Sequence, residues 1–331
     1  MNAIPSPSTK APEPIAASPL PVIPAAAFGI VLGLGGLANA WRSAERLWHA
    51  SPIAGQVVSV FAIIIWALLL VGYLSKWVYL REKALQEIEH PVQCCFVGLI
   101  GVSTMLVGGL SLSYSATAAQ LLFWLGALWT VAFAVWRTGG LWAGGREPAT
   151  TTAVLYLPTV AGSYVVAIVA APLGYPDIAQ LAFGAGFFSW LAIESVLLNR
   201  LLTAPTLLET LRPTIGIQLA PPAVGSVAYL SATTGLPDML AHAMLGYALL
   251  QLLLMIRTLP WVLKQPFTAS YWAYSFGLTA LATATIRMAD RGETGLVLSL
   301  AVPLFILVNA AITILVILSL VALFRGKLFP R

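Results

Sequence analysis

Apolar residues along this chain gather in runs of about 20, the length a helix needs to cross the hydrocarbon core of a bilayer. The pattern predicts ten helical spans, at roughly 22–40, 53–74, 92–113, 115–137, 152–172, 178–200, 213–231, 237–257, 266–286 and 296–318. The breaks between runs have turn chemistry: Ser113-Tyr114-Ser115, the Pro/Gly-containing stretch from Ala171 to Asp177, and Thr233-Thr234-Gly235-Leu236-Pro237. Each break is short enough to force its flanking helices antiparallel.

Composition turns that pattern into a membrane protein. The chain is 59% hydrophobic and 9% charged over 331 residues, whereas about a quarter of an average soluble domain is charged. Ten spans use about 200 residues at about 20 each, which leaves loops and tails and no room for a folded extramembrane domain. The net charge of +5 does not indicate a nucleic-acid partner. Such proteins cluster their basic residues on one face, and here they stand singly between apolar runs. They report topology instead. With the N-terminus cytoplasmic, only Arg42, Arg46, Arg287 and Arg291 of the 17 basic residues fall outside, so both termini are expected in the cytoplasm.

Residues 1–21 carry Pro5, Pro7, Pro12, Pro14, Pro19 and Pro21 with hardly any charge. That composition cannot support a core, so they read as a disordered cytoplasmic tail. They also lack the charged start and apolar stretch of a signal peptide. The expected division is this tail, a channel-like domain over 22–324, and a short basic tail over 325–331.

The spans differ in kind. The odd ones are richer in Gly, Ala, Ser and Thr, which allow close helix approach or leave open space. They also hold proline: Pro91 opens the third, Pro158 lies in the fifth, Pro221 and Pro222 in the seventh, and Pro266 opens the ninth. An interior proline kinks a helix, and the freed carbonyls must be buried or face a cavity. Two architectures satisfy this: an ordinary packed bundle, or five helical hairpins with the odd helices inside around a central pore.

Candidate chemistry is sparse. Glu194 is the one carboxylate well inside a span, and an intramembrane acid is a functional candidate by default. It reads either as a proton-coupling site or as an anchor partnered by a basic residue or backbone donors, and its place on an even helix near Arg200 favours the anchor. Gln218 and Asn309 are amides suited to interhelical hydrogen bonds, and Gln218 on an odd helix is also a pore-lining candidate. His49, His90 and His242 show no ligand spacing, and Cys94-Cys95 are adjacent within an apolar run, so no metal site or cofactor is expected. Gly33-Leu34-Gly35-Gly36 lies inside a span with no strand before it and is not a dinucleotide loop. No nucleophile with its base is legible, so an enzyme is not expected.

One stretch carries more than its composition. Gln265-Pro266-Phe267-Thr268-Ala269-Ser270-Tyr271-Trp272-Ala273-Tyr274-Ser275-Phe276-Gly277 resembles the ninth span of the TehA and slow-type anion channel family (tellurite-resistance/dicarboxylate transporters). Other segments look like its bacterial members: Phe28-Gly29-Ile30-Val31-Leu32-Gly33, Glu89-His90-Pro91-Val92, Leu155-Tyr156-Leu157-Pro158-Thr159-Val160, Phe188-Ser189-Trp190-Leu191, Gly216-Ile217-Gln218-Leu219-Ala220-Pro221 and Ala301-Val302-Pro303-Leu304-Phe305.

The resemblance implies an all-α fold of ten transmembrane helices as five hairpins, with odd helices lining a pore through each protomer of a homotrimer. It implies a multi-pass protein of the bacterial inner membrane that passes small inorganic or organic anions, in a family whose bacterial members are named for tellurite resistance. Phe276 matches the family's gating phenylalanine, with Gly277 beside it to give the ring room. Gly33, Pro158, Gln218, Pro221 and Gly277 are the pore-lining or kink candidates. The competing expectation is a proton-coupled exporter of tellurite, dicarboxylate or organic solutes that uses Glu194.

Overall fold

The computed structural model describes residues 22–145 and 147–329. The proline-rich tail expected at 1–21 lies outside them, as do Arg146 and the last two residues. The described chain is helical throughout, with no strand. Eleven α-helices follow one another: α1 (Gly29–Trp48), α2 (Pro52–Tyr79), α3 (Arg81–Glu89), α4 (Leu99–Ser111), α5 (Ala116–Trp142), α6 (Gly162–Ala170), α7 (Pro176–Thr203), α8 (Ala220–Ala232), α9 (Met239–Val262), α10 (Ser275–Asp290) and α11 (Gly295–Phe324).

Eight helical segments are long and apolar enough to cross a membrane. The two expected spans not among them, 22–40 and 266–286, correspond to the helical segments 25–48 and 269–290. Both are helical, but they carry residues a lipid-facing helix avoids: Arg42, Glu45 and Arg46 in the first, and Ser270, Tyr271, Arg287 and Asp290 in the second. The structure shows why that composition is tolerated. These two helices pack on one another and are enclosed by the rest, with 13 residues of the 16-residue α10 buried. A helix shielded from lipid on all sides needs no lipophilic surface.

The helices fall into two classes by burial. In the segments Gln93–Ser111, Ala153–Ala170 and Glu209–Ala232, between 72% and 83% of the most apolar stretch is buried, against 22% to 33% in α2, α5, α7, α9 and α11. The exposed class shows Ile, Leu, Val and Trp outward, among them Ile53, Leu68, Trp129, Leu181, Leu253 and Ile306. Only a lipid or protein environment accommodates so much apolar surface. Contacts run from α1 to α4, α6, α8, α10 and back to α1, and each of these five also packs on the helix that follows it, α2, α5, α7, α9 or α11.

Local chemistry sets the helix ends. Ser115 caps α5 by accepting from the Ala118 amide at 3.2 Å, and Asp238 caps α9 by accepting from Leu240 and Ala241 at 3.0 and 3.1 Å. Pro52 and Pro176 sit at the first helical position, where the missing N–H costs nothing. His49, left-handed at φ 53°, stops α1. The helices overrun several expected boundaries: α1 reaches Trp48 rather than residue 40, and α11 reaches Phe324 rather than 318. The short polar helix α3, between α2 and the buried segment Gln93–Ser111, has no counterpart in the hydropathy pattern. Lys76 and Glu87 hold it in place. They form a 2.6 Å ion pair with side chains only 2% and 9% exposed, and Glu87 also accepts from the Ala25 amide at 2.8 Å.

The prolines do not all act as expected. Pro221 and Pro222 lie in the first turn of α8, not in its interior, and Pro158 lies in a π-helical stretch, Leu157–Ala161. Each of the five enclosed helices begins with such a non-α stretch: 25–28, 93–98, 153–161, 209–219 and 269–274, mostly 3₁₀. In the fifth and seventh spans each proline's missing donor falls at a change of helix type.

Candidate functional site: a cavity at five helix starts

The five junctions converge on one space. A narrow cavity of about 60 Å³ is lined by Ala26, Gly29 and Leu32 from the first junction, Phe96 and Leu99 from the second, and Tyr156, Leu157, Val160, Ala161 and Tyr164 from the third. Ile217, Ala220, Pro221 and Val224 line it from the fourth, and Ala269, Ser270, Trp272, Ala273 and Phe276 from the fifth. No acidic or basic side chain is among them. At this point a 3₁₀ or π stretch gives way to an α-helix, and side chains that would mesh in a continuous bundle are set out of register around a gap.

Phe276 lies in the first turn of α10, 8% exposed, on the inner side of this cavity. Small residues surround it. A Cβ added at Gly36 would stand 3.5 Å from its ring and 2.8 Å from Thr279 Cβ, and Ala280 is one turn further along α10.

Of the other residues singled out in the sequence, Pro221 borders the cavity and Pro158, buried in the π stretch, does not. Gly33 and Gly277 are points of close backbone approach. A Cβ at Gly33 would meet Ser275 Cβ at 2.6 Å, and one at Gly277 would meet Leu219 Cβ at 2.9 Å and the Ala220 amide at 3.0 Å. They seat α1 on α10 and α10 on α8. Gln218 is buried with Oε1 unpartnered and faces a separate small pocket with Thr152, Arg200 and Thr214. Asn309 accepts from Trp41 Nε1 at 2.9 Å, tying α11 to α1.

Glu194 is buried and fully engaged. Its Oε2 accepts from Trp190 Nε1 at 3.0 Å and from the Tyr156 hydroxyl in a short bond, and its Oε1 accepts from the Tyr247 hydroxyl at 2.6 Å. Its partners are three aromatic donors, where the sequence suggested a basic residue or backbone amides. The carboxylate therefore joins α7 and α9 to Tyr156, which lines the cavity. Tyr156 stood in one of the segments that carry the family resemblance but had no role assigned, and Tyr247 carried no motif. The one signal that could have found them is the need of any buried carboxylate for donors.

Charge collects at the two ends of the enclosed helices. Where the enclosed helices start, Ala26, Ala269 and Ser270 border both the cavity and an open vestibule that holds Lys76, Lys83, Lys327 and Glu87. Where they end, a second opening of about 360 Å³ is lined by Arg46, Arg287, Arg291 and Asp290 with Ala171, Pro172, Leu230 and Ser231. Each opening has three cations to one carboxylate. Arg291 lies just past α10, and burial lowers its pKa, yet an arginine stays protonated at any physiological pH.

Comparison with known proteins decides what kind of molecule this is. The model of the family described as voltage-dependent anion channel matches residues 23–322. The chain belongs to that family. It is 35% identical over 310 residues to a tellurite resistance protein TehA homolog of Haemophilus influenzae, covering 93% of both chains. It is 25% identical to the guard cell S-type anion channel SLAC1 of Arabidopsis thaliana, covering 93% of this chain and 57% of the plant protein. An uncharacterized transporter of Methanocaldococcus jannaschii is 26% identical over 292 residues. Membership agrees with the apolar helices in making this a multi-pass membrane protein of an anion-transport family, as the resemblance of the Trp272–Gly277 segment implied. The described residues contain no grouping of three or more His, Cys, Asp or Glu that could hold a metal ion.

Proposed function

We propose that the chain conducts small anions through a pore along the axis of its five enclosed helices, with all ten long helical segments crossing the bilayer as five hairpins. The observation that carries this is the sequence of environments along that axis: a cationic mouth, an uncharged apolar cavity built by all five junctions, Phe276, and a second cationic mouth. Positive mouths raise the local concentration of anions. An apolar throat with no fixed charge then selects by width and by the cost of dehydration. Large, weakly hydrated monovalent anions cross such a throat best. Tellurite, the oxyanion in the name of the Haemophilus relative, is a small anion but a more strongly hydrated one, and such a throat would pass it less readily.

Phe276 is the gate in this reading. Its ring occupies the inner end of the cavity and is backed by Gly36 and Thr279. Glu194 is the anchor that holds Tyr156 at the cavity wall, because all its contacts are with side chains fixed in the packing. We place both termini in the cytoplasm, the protein in an inner membrane, and its assembly as a homotrimer in which each protomer keeps its own pore.

The test is anion flux from proteoliposomes under ion substitution, with and without a pH gradient. We expect nitrate or iodide to pass faster than chloride and the rate to ignore the gradient. Flux that requires the gradient and disappears in Glu194→Gln would replace the channel with a coupled exporter.

A further inference from the structure

Three arginines meet where the enclosed helices end, and they are not equally occupied. Arg46 donates to Asp290 at 3.4 Å and to Ser43 Oγ at 3.2 Å. Arg291 donates to Thr233 O at 2.7 Å, to the Leu230 carbonyl, and to Thr233 Oγ1 at 3.4 Å. It thereby caps the carbonyls left free at the end of α8. Arg287 differs. Its Nη1 donates to Ser231 Oγ at 2.7 Å, its buried Nε has no acceptor, and no carboxylate of the described residues lies within ion-pairing distance of it. Asp290, the nearest acid along the helix, is taken by Arg46. A half-buried guanidinium with its Nε buried and no counter-ion is costly. Here it borders an open space large enough for an ion with part of its water shell.

We propose that Arg287, with Ser231 beside it, forms a binding site for a small monovalent anion in this mouth, a station at which the ion exchanges part of its hydration for guanidinium donors. The inference rests on the proposed conduction pathway and adds a specific site to it. Arg287 lies 11 residues beyond Phe276 on the same helix, about 16 Å at 1.5 Å per residue, so an ion held there waits directly outside the throat. Arg46 and Arg291 add field while being held by their own partners. The site is weak by construction: an open vestibule lets water compete, and conduction requires an ion to leave as readily as it enters.

Two measurements test it. In planar bilayers, current is recorded against chloride concentration on each side separately. Arg287→Gln is expected to raise the half-saturating chloride about fivefold on the Arg287 side alone, the effect of one charge-assisted contact in a wet site, and Arg287→Lys to raise it less. In crystals of the wild-type protein grown in bromide, anomalous scattering is expected beside the Arg287 guanidinium. The bromide experiment stands even if the glutamine variant does not fold. Unchanged half-saturation in a folded Arg287→Gln protein, or crystals with no bromide at Arg287, overturns the site. Either result leaves conduction standing if anion current persists, whereas absence of anion current from the wild type and from Phe276→Ala alike would remove the conduction pathway itself.

Discussion

Replacing Phe276 by alanine is the sharpest perturbation of this molecule. The substitution removes an aromatic ring, roughly 100 Å³ of matter where a water molecule claims about 30 Å³ of liquid. The ring lines a narrow cavity of about 60 Å³, so its removal enlarges an existing space. The small neighbours Gly36, Gly277 and Ala280 have no side chain long enough to refill it. A barrier reduction of only about 1.4 kcal/mol is a tenfold rise in rate, and an anion-sized opening in place of a ring should give at least that. The stability cost should be modest. Phe→Ala in a solid core costs about 3–5 kcal/mol, but this ring borders a void on one side and forfeits fewer contacts, so about 2 kcal/mol is the expectation. The assay is anion efflux from proteoliposomes at matched protein density, with thermal unfolding in detergent as the folding control and Phe276→Leu as an intermediate. A folded Phe276→Ala protein whose efflux equals that of the wild type would refute the assignment of this ring as the gate.

Other perturbations probe the scaffold around it. Gly33→Ala should destabilise by about 1–3 kcal/mol, because its Cβ would stand 2.6 Å from Ser275 Cβ and force α1 off α10; an unchanged melting temperature in detergent would show that the helices yield freely. Lys76→Met leaves Glu87 buried without its cation and should cost about 3–5 kcal/mol, whereas adding Glu87→Leu should recover most of that loss in the same melt. Glu194→Gln offers one acceptor oxygen where the carboxylate accepts from three donors, so it should lose about 1–3 kcal/mol and disturb Tyr156 while leaving flux indifferent to pH gradients.

Much of the fold was written in the hydropathy pattern because lipid imposes a single rule: every backbone polar group is satisfied within its own helix, and every surface facing the chains is apolar. That rule is local, so it can be read residue by residue. It located the breaks at Ser113–Ser115 and at Thr233–Pro237, and the small-residue, proline-bearing segments that turned out to be enclosed. It did not reveal α3, whose position depends on Lys76 meeting Glu87, nor the 3₁₀ and π starts, which depend on how five helices share one space. The Trp272–Gly277 segment pointed to the family without any knowledge of the cavity.

What the sequence could not supply was adjacency. Gly33, Gly36 and Gly277 read as small residues with several uses, and only the neighbouring helix at Ser275, Thr279 or Leu219 makes them contact points. Glu194 read as a lone acid until Tyr156, Trp190 and Tyr247 arrived from three places in the chain to meet it. Arg46, Arg287 and Arg291 were counted as topology markers on the outer side; the tertiary structure gathered them at one mouth and left one without a counter-ion. Composition and periodicity determine that a segment is a helix and whether lipid tolerates it, because those depend on the segment and its solvent. Which faces enclose a cavity, and which charges face it, depends on long-range packing that no single segment encodes.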